Sequence, residues 1–142
     1  MKAWIRADPL RAVLAVIAVT TAFSGAVQVV APGFVLAALG AESTSTSRHL
    51  FATVGMFMVV VGGLLTHTLV SRTPSADVLL WAGLQKFGAF VAVLLGVLNQ
   101  IFAPLALGVA LFDLATAVLL GISWRRLRGR TAAPAAPVRA TR

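Results

Sequence analysis

The chain has no cysteine in its 142 residues, so disulfides, thiol redox chemistry and thiolate metal sites are excluded. Charge is scarce as well, at 11% of residues, and only four side chains are acidic. No Ser-His-Asp arrangement, carboxylate dyad, phosphate-cradling loop or metal-ligating cluster is found, which speaks against a hydrolase or an ATPase. The expectation is a protein that is not an enzyme and carries no cofactor and no metal. The two histidines, His49 and His67, lie 18 residues apart. On one helix that separation is about 27 Å, too far to share a metal ion. Either could ligate a haem with Met56 or Met58 as axial partner, but no second histidine lies at matching depth. Core or interfacial histidines are the simpler reading.

Hydrophobic residues make up 59% of the chain and fall into four long runs, Leu10–Ala31, Leu50–Val70, Val78–Leu98 and Ile101–Trp124. About 20 residues at 1.5 Å rise cross the ~30 Å hydrocarbon core of a bilayer, so each run can span once as a helix. Within lipid the backbone must satisfy its own hydrogen bonds, which leaves helices or closed barrels. The runs lack the alternation of barrel strands. The fold class expected is therefore all-α, an integral membrane up-down-up-down four-helix bundle spanning residues 1–126.

The net charge of +8 resembles a nucleic-acid signal until the charges are placed along the chain. Lys2, Arg6 and Arg11 precede or open the first run, and Arg125, Arg126, Arg128, Arg130, Arg139 and Arg142 follow the last. Arg72 lies in the second connection, Arg48 in the first, and Lys86 inside the third run. With both termini cytoplasmic, ten basic residues lie inside and one outside, as the positive-inside rule requires. Trp4, Trp81 and Trp124 then fall at the inner interface. The basic balance is a topology signal, with a small contribution from anionic lipid at Arg125–Arg130, and no nucleic-acid partner is expected. Abundant Ala, Val, Leu and Gly, with Arg favoured over Lys, suggests a GC-rich bacterial genome, hence a multi-pass inner-membrane protein. Residues 1–26 also have the outline of a secretory signal, with small residues at Ser24-Gly25-Ala26, but the apolar run continues through Val30.

Between the runs, Pro32-Gly33 ends the first, and residues 33–40 form a short apolar segment suited to the interface. The polar stretch Glu42–Ser47 follows, with Ser47 as an N-cap for the second run. Ser71–Asp77 is a turn containing Pro74, with Ser75 or Asp77 as cap, and Asn99–Pro104 is a tight turn. Residues 127–142 read as a disordered basic cytoplasmic tail.

Lys86 and Asp113 are the charges deep within these runs. Lys86 lies 14 residues before Gln100 and Asp113 lies 13 after it. In an antiparallel hairpin they reach the same depth, where an isolated charge costs about 2.5–3.5 kcal/mol or more and so faces a partner. Ala106, Ala110, Ala117 and Gly121 share the face of Asp113, and Thr116 stands beside it as a neighbour able to donate to its carboxylate. On the third run, Ala82, Gly83, Ala89 and Phe90 flank Lys86, while Gly88, Ala92 and Gly96 form a separate small stripe. Two small faces suggest contact on two sides, within the bundle or with a second copy or another membrane protein. Gln28 and the Thr66-His67-Thr68 cluster could line entrances or bond backbone carbonyls.

Gly25 followed by Pro32, then Arg48 leading Gly55 and the pair Gly62-Gly63, resembles the small four-helix bacterial membrane proteins grouped as DoxX-like. The likeness covers most of residues 10–125. It implies an accessory subunit in quinone-linked redox complexes or a partner in oxidative-stress responses. The pair Lys86–Asp113 is no part of that resemblance. Three functional readings follow: a non-catalytic accessory or scaffold module, in which the pair locks two helices; a small proton-coupled transporter using the pair; and a membrane redox, lipid- or quinone-associated subunit.

Overall fold

The computed structural model describes residues 8–131, which form five α-helices and one short 3-10 turn. Helix α1 (Pro9–Val30) is opened by Asp8, whose carboxylate accepts from the Arg11 N–H at 3.3 Å, with Pro9 at the first helical position. Pro32 then starts α2 (Pro32–Ala38), the short segment expected between the first two runs. The turn that follows it runs through Gly40, whose φ of 67° lies in the left-handed region that glycine tolerates.

Helix α3 (Ser45–Val70) begins five residues before Leu50, where the second apolar run starts, and Thr44 rather than Ser47 caps it. The Thr44 hydroxyl accepts from the Ser47 N–H at 3.1 Å, while Ser47 Oγ accepts from the Thr44 N–H at 2.9 Å. This reciprocal capping box turns polar residues into the first helical turn. Helix α4 (Ala76–Leu98) is capped by Ser75, with Asp77 favourably placed in its first turn.

The fourth run departs most from its expected bounds. Residues 101–103 belong to a turn, because Gln100 adopts a φ of 60° and the Ile101 and Phe102 N–H groups both donate to the Gly96 carbonyl. Pro104–Ala106 form the 3-10 turn, and α5 (Leu107–Thr131) follows. At its far end α5 continues past Trp124 and past residue 127, where an irregular tail was expected. The Arg128 guanidinium lies over the Trp124 ring at 5.3 Å, and arginine is itself a good helix former. The rest of the expected tail, residues 132–142, lies outside the described residues, as do Lys2, Trp4 and Arg6.

The four long helices associate as two antiparallel pairs. Helices α1 and α3 cross where Gly25 faces Gly55: a Cβ on Gly25 would lie 2.5 Å from the Gly55 carbonyl oxygen, and one on Gly55 2.7 Å from that of Gly25. Two turns away, a Cβ on Gly62 would lie 2.7 Å from the Ala22 nitrogen. Backbones approach this closely only over small residues, the usual source of helix association where lipid provides no hydrophobic drive. Helices α4 and α5 form the second pair, joined through Gly83 against Leu120 and through Lys86 with Asp113. Helices α3 and α4, although joined by a short turn, touch much less than either pair. The glycine face of α3 is spent on α1.

The pairs meet at both ends. Near the α3–α4 turn, Leu14, Ala18, Leu65, Leu69, Leu79, Ala82 and Leu120, drawn from all four long helices, form the buried core. Near the α4–α5 turn, the Ala103 N–H donates to the Leu39 carbonyl at 2.8 Å, tying that turn to the end of α2. Elsewhere the surface is apolar: Phe23 is 69% exposed, Val16 63% and Leu111 61%. All four long helices have the length and composition to cross a membrane. A surface of this kind suits lipid, not water.

Arg11 is the cap that sequence patterns did not reveal. Its Nε donates to the Leu69 carbonyl at 2.7 Å and its guanidinium also reaches the Ser71 carbonyl, so α1 closes the C-terminus of α3. Arg11→Met is expected to cost about 1.5–3 kcal/mol, the usual worth of hydrogen bonds to a charged group. Hydrogen exchange should locate the loss: amides of residues 69–72 exchange faster, while those around residue 55 keep their protection.

Candidate functional site

Lys86 lies near the middle of α4 and Asp113 in the second turn of α5, and the hairpin brings them into direct contact. Lys86 Nζ donates to Asp113 Oδ1 at 2.6 Å, with both side chains more than nine-tenths buried. The ammonium also lies 5.7 Å from the centre of the Phe112 ring. Ala106 and Ala110, the small residues that precede Asp113, are both fully buried. Thr116 is equally buried, but its hydroxyl donates to the Phe112 carbonyl at 2.8 Å and not to Asp113. Back-bonding to the carbonyl four residues earlier satisfies a helical threonine within its own helix.

The pair does not close the interior. Where α1 passes α5, the two helical hairpins leave a cleft of about 290 Å³, and Lys86 and Asp113 form part of its wall. Opposite them is a polar stripe on α1 made of Thr21, Ser24 and Gln28. Gln28 Nε2 donates to Met58 Sδ at 3.3 Å, whereas its Oε1 is buried without a hydrogen-bond partner. Thr21, 95% buried, likewise has an Oγ1 with no partner. The rest of the lining is apolar, including Val27, Val35, Leu39 and Val109. Phe23 and Phe112, both well exposed, stand where the cleft meets the molecular surface.

The cleft carries little net charge and is lined mostly by apolar atoms. The ion pair is neutral as a unit, and Lys86 spends one of its three N–H donors on Asp113. Gln28 Oε1 and Thr21 Oγ1 are unpartnered in a setting where an unsatisfied polar group costs about 1–3 kcal/mol, and surrounding atoms close both off from the cleft.

The other sequence candidates fall elsewhere. His49 and His67 are both exposed on α3, near opposite ends, and Met56 is exposed too. Thr66 bonds the Gly62 carbonyl, and the Thr68 hydroxyl accepts from the Ser75 N–H at 2.7 Å, so this cluster shapes the helix end and its turn. Glu42 lies beside a separate groove of about 690 Å³ between α2, α3 and the α4–α5 turn. Gly88 and Gly121 have open space where a side chain would stand, so only part of each small stripe is used in packing within the chain.

Of the cleft residues, sequence reasoning singled out Lys86, Asp113 and Gln28 and passed over Thr21 and Ser24. Their signal was the spacing: residues 21, 24 and 28 fall on one helical face in an otherwise apolar run. Comparison of the chain with family models, curated proteins and solved structures gives no match.

Proposed function

We propose that this chain is a multi-pass bacterial inner-membrane protein of the DoxX-like type, with up-down-up-down helices and both termini in the cytoplasm. It serves as a non-catalytic accessory or scaffold module. The observation that carries this reading is the Lys86–Asp113 contact, in which two buried charges satisfy each other and join α4 to α5. The residues behind the DoxX-like resemblance support it as well: Gly25, Gly55 and Gly62 are the close approaches of α1 to α3, and the Arg48 stem lies over Gly33 of α2. The open small stripe around Gly88 supplies a face for a second copy or a partner helix. Extraction in mild detergent followed by native mass spectrometry should then give a species heavier than one chain. Only monomers, with nothing co-purifying, would count against the scaffold role.

The absence of cysteine makes the topology directly testable. Thr46→Cys in the exposed first turn of α3 is expected to react with a membrane-impermeant maleimide on intact spheroplasts. Thr73→Cys in the α3–α4 turn should react only after the membrane is broken. The reverse pattern would place both termini outside.

A second reading, a small proton-coupled transporter, is favoured by one observation: the ion pair reaches the cleft wall and is not sealed between the helices. Its test is flux in proteoliposomes, which Asp113→Asn should abolish if the carboxylate carries the proton. Unchanged flux would leave the pair a structural lock.

A further inference from the structure

We infer that the groove between α4 and α5 holds one acyl chain of an anionic phospholipid, such as phosphatidylglycerol, with the lipid phosphate at Arg125. The inference rests on the membrane-spanning helices alone, so its failure and that of the scaffold role are separate outcomes.

Small residues open the groove. Gly83 lies against Leu120 and the Ala117 carbonyl, whereas a Cβ on Gly121 would meet nothing within 4 Å. Leu84, Phe87 and Val118 line the space and are themselves about half exposed. The groove measures about 380 Å³ and shares no lining residue with the cleft beside Lys86 and Asp113. At ~30 Å³ per water-sized group it takes about twelve methylene-sized groups, the greater part of one acyl chain.

Depth and charge select a lipid over a partner helix. The lining runs from Leu79 to Phe87 on α4 and from Leu114 to Arg125 on α5. At 1.5 Å per residue that is about 12 Å of α4 and about 16 Å of α5, close to half of the ~30 Å hydrocarbon core. A partner helix crosses both leaflets, but an acyl chain occupies one. The groove reaches Trp124 and Arg125 at the basic end of α5. Arg125 is exposed and forms no ion pair among the described residues; Asp77, in the first turn of α4, does not reach it. Arg128 lies over the Trp124 ring at 5.3 Å, which keeps a second guanidinium at the same level. Tryptophan favours headgroup depth, and basic groups between membrane helices there attract anionic headgroups. A phosphodiester supplies the anion that Arg125 lacks. A zwitterionic lipid brings its own cation and gains less.

Bound this way, the phosphate meets Arg125 beside Trp124, and the chain lies over Gly121 between Leu84 and Val118. An inverted topology would move the lipid to the other leaflet and leave its site on the protein unchanged.

The test reads Trp124 itself. Full-length protein carrying Trp4→Phe and Trp81→Phe keeps Trp124 as its one tryptophan. It is placed in phosphatidylcholine bilayers containing a fixed fraction of lipid brominated near the carboxyl end of its chains, either phosphatidylglycerol or phosphatidylcholine. Bromine quenches a tryptophan that it touches. The expected result is quenching of Trp124 as though phosphatidylglycerol bound about fivefold more tightly than phosphatidylcholine, the worth of one basic residue near the membrane surface. A reference protein that keeps Trp81 instead, 68% exposed on α4, should show no such preference. Arg125→Gln should remove the preference at Trp124. Gly121→Leu, whose side chain enters the groove, should remove it too while the melting temperature stays at the parent value. Equal preference at Trp124 and Trp81 overturns the inference, because the basic end would then only gather lipid from the bilayer at large. A preference that survives Gly121→Leu also overturns it. So does a parent protein without the preference whose dimer is lost on Gly121→Leu, a result that assigns the groove to a second copy.

Discussion

Lys86→Met and Asp113→Leu, each alone, are expected to destabilise the protein by about 3–5 kcal/mol, and the two together to recover most of that loss. The asymmetry comes from what each change leaves behind. Removing the carboxylate strands an ammonium among Ala110, Phe112 and the α1 face, with no anion nearby among the described residues. Removing the ammonium strands a carboxylate in the same place. Removing both leaves two apolar side chains of similar bulk beside Val109 and Phe112, where they can pack. Unfolding by heat or by titration with a denaturing detergent measures all three variants. A host phenotype scored in parallel separates structure from activity: a double mutant that regains both stability and growth marks the pair as a lock. Recovery of stability without growth marks it as functional. Single mutants as stable as the parent would mean that the two charges are hydrated and not in contact.

The second large effect is expected at the α1–α3 crossing. Gly55→Leu should disrupt that pair, at a cost above the 1–3 kcal/mol, roughly, of ordinary overpacking, because backbone and not a flexible side chain stands in the way. A Cβ at residue 55 would already lie 2.7 Å from the Gly25 carbonyl oxygen and 2.7 Å from Gln28 Cβ, before any further atoms are placed. Gly63→Leu, one position from the equally tight Gly62, is the matched control. Nothing lies within 4 Å of its hypothetical Cβ, so the leucine projects into lipid and stability should barely change. Equal losses at Gly55 and Gly63 would show that the two helices do not cross where Gly25 faces Gly55.

Much of this was legible in the chain itself, for specific reasons. The long helices follow from apolar runs of bilayer length, and the Lys86–Asp113 contact follows from two charges mirrored about the turn at Gln100. A charge in such a run must find a partner, and helix geometry offered each of them the other. Less legible was which helices pair closely. Small residues at Gly55, Gly62, Gly88 and Gly121 all carry the same signal, yet backbone or side-chain atoms crowd the first two and nothing lies near the others. A stripe shows that a close approach is allowed, not that a neighbour arrives. The start of α3 was hidden because Thr44 and Ser47 resemble loop residues until their reciprocal hydrogen bonds form. The Arg11 clamp on Leu69 and Ser71 joins residues nearly sixty positions apart, beyond the reach of any local pattern. The cleft is the least legible feature. It arises from the way two hairpins diverge between the leucine core at one end and the Ala103–Leu39 hydrogen bond at the other. The polar stripe on α1 acquires meaning only once that space exists.

The membrane-embedded ion pair is open to one direct measurement. Protein labelled with nitrogen-15 at lysine side chains and carbon-13 at aspartate carboxyls can be placed in lipid bilayers and examined by solid-state NMR distance spectroscopy. Asp113→Asn identifies the aspartate signal. The result expected is strong dephasing of the Lys86 ammonium signal by the Asp113 carboxylate, as a 2.6 Å nitrogen–oxygen contact demands, with the carboxylate ionised. An ammonium signal with no dephasing, or a protonated Asp113, would contradict it.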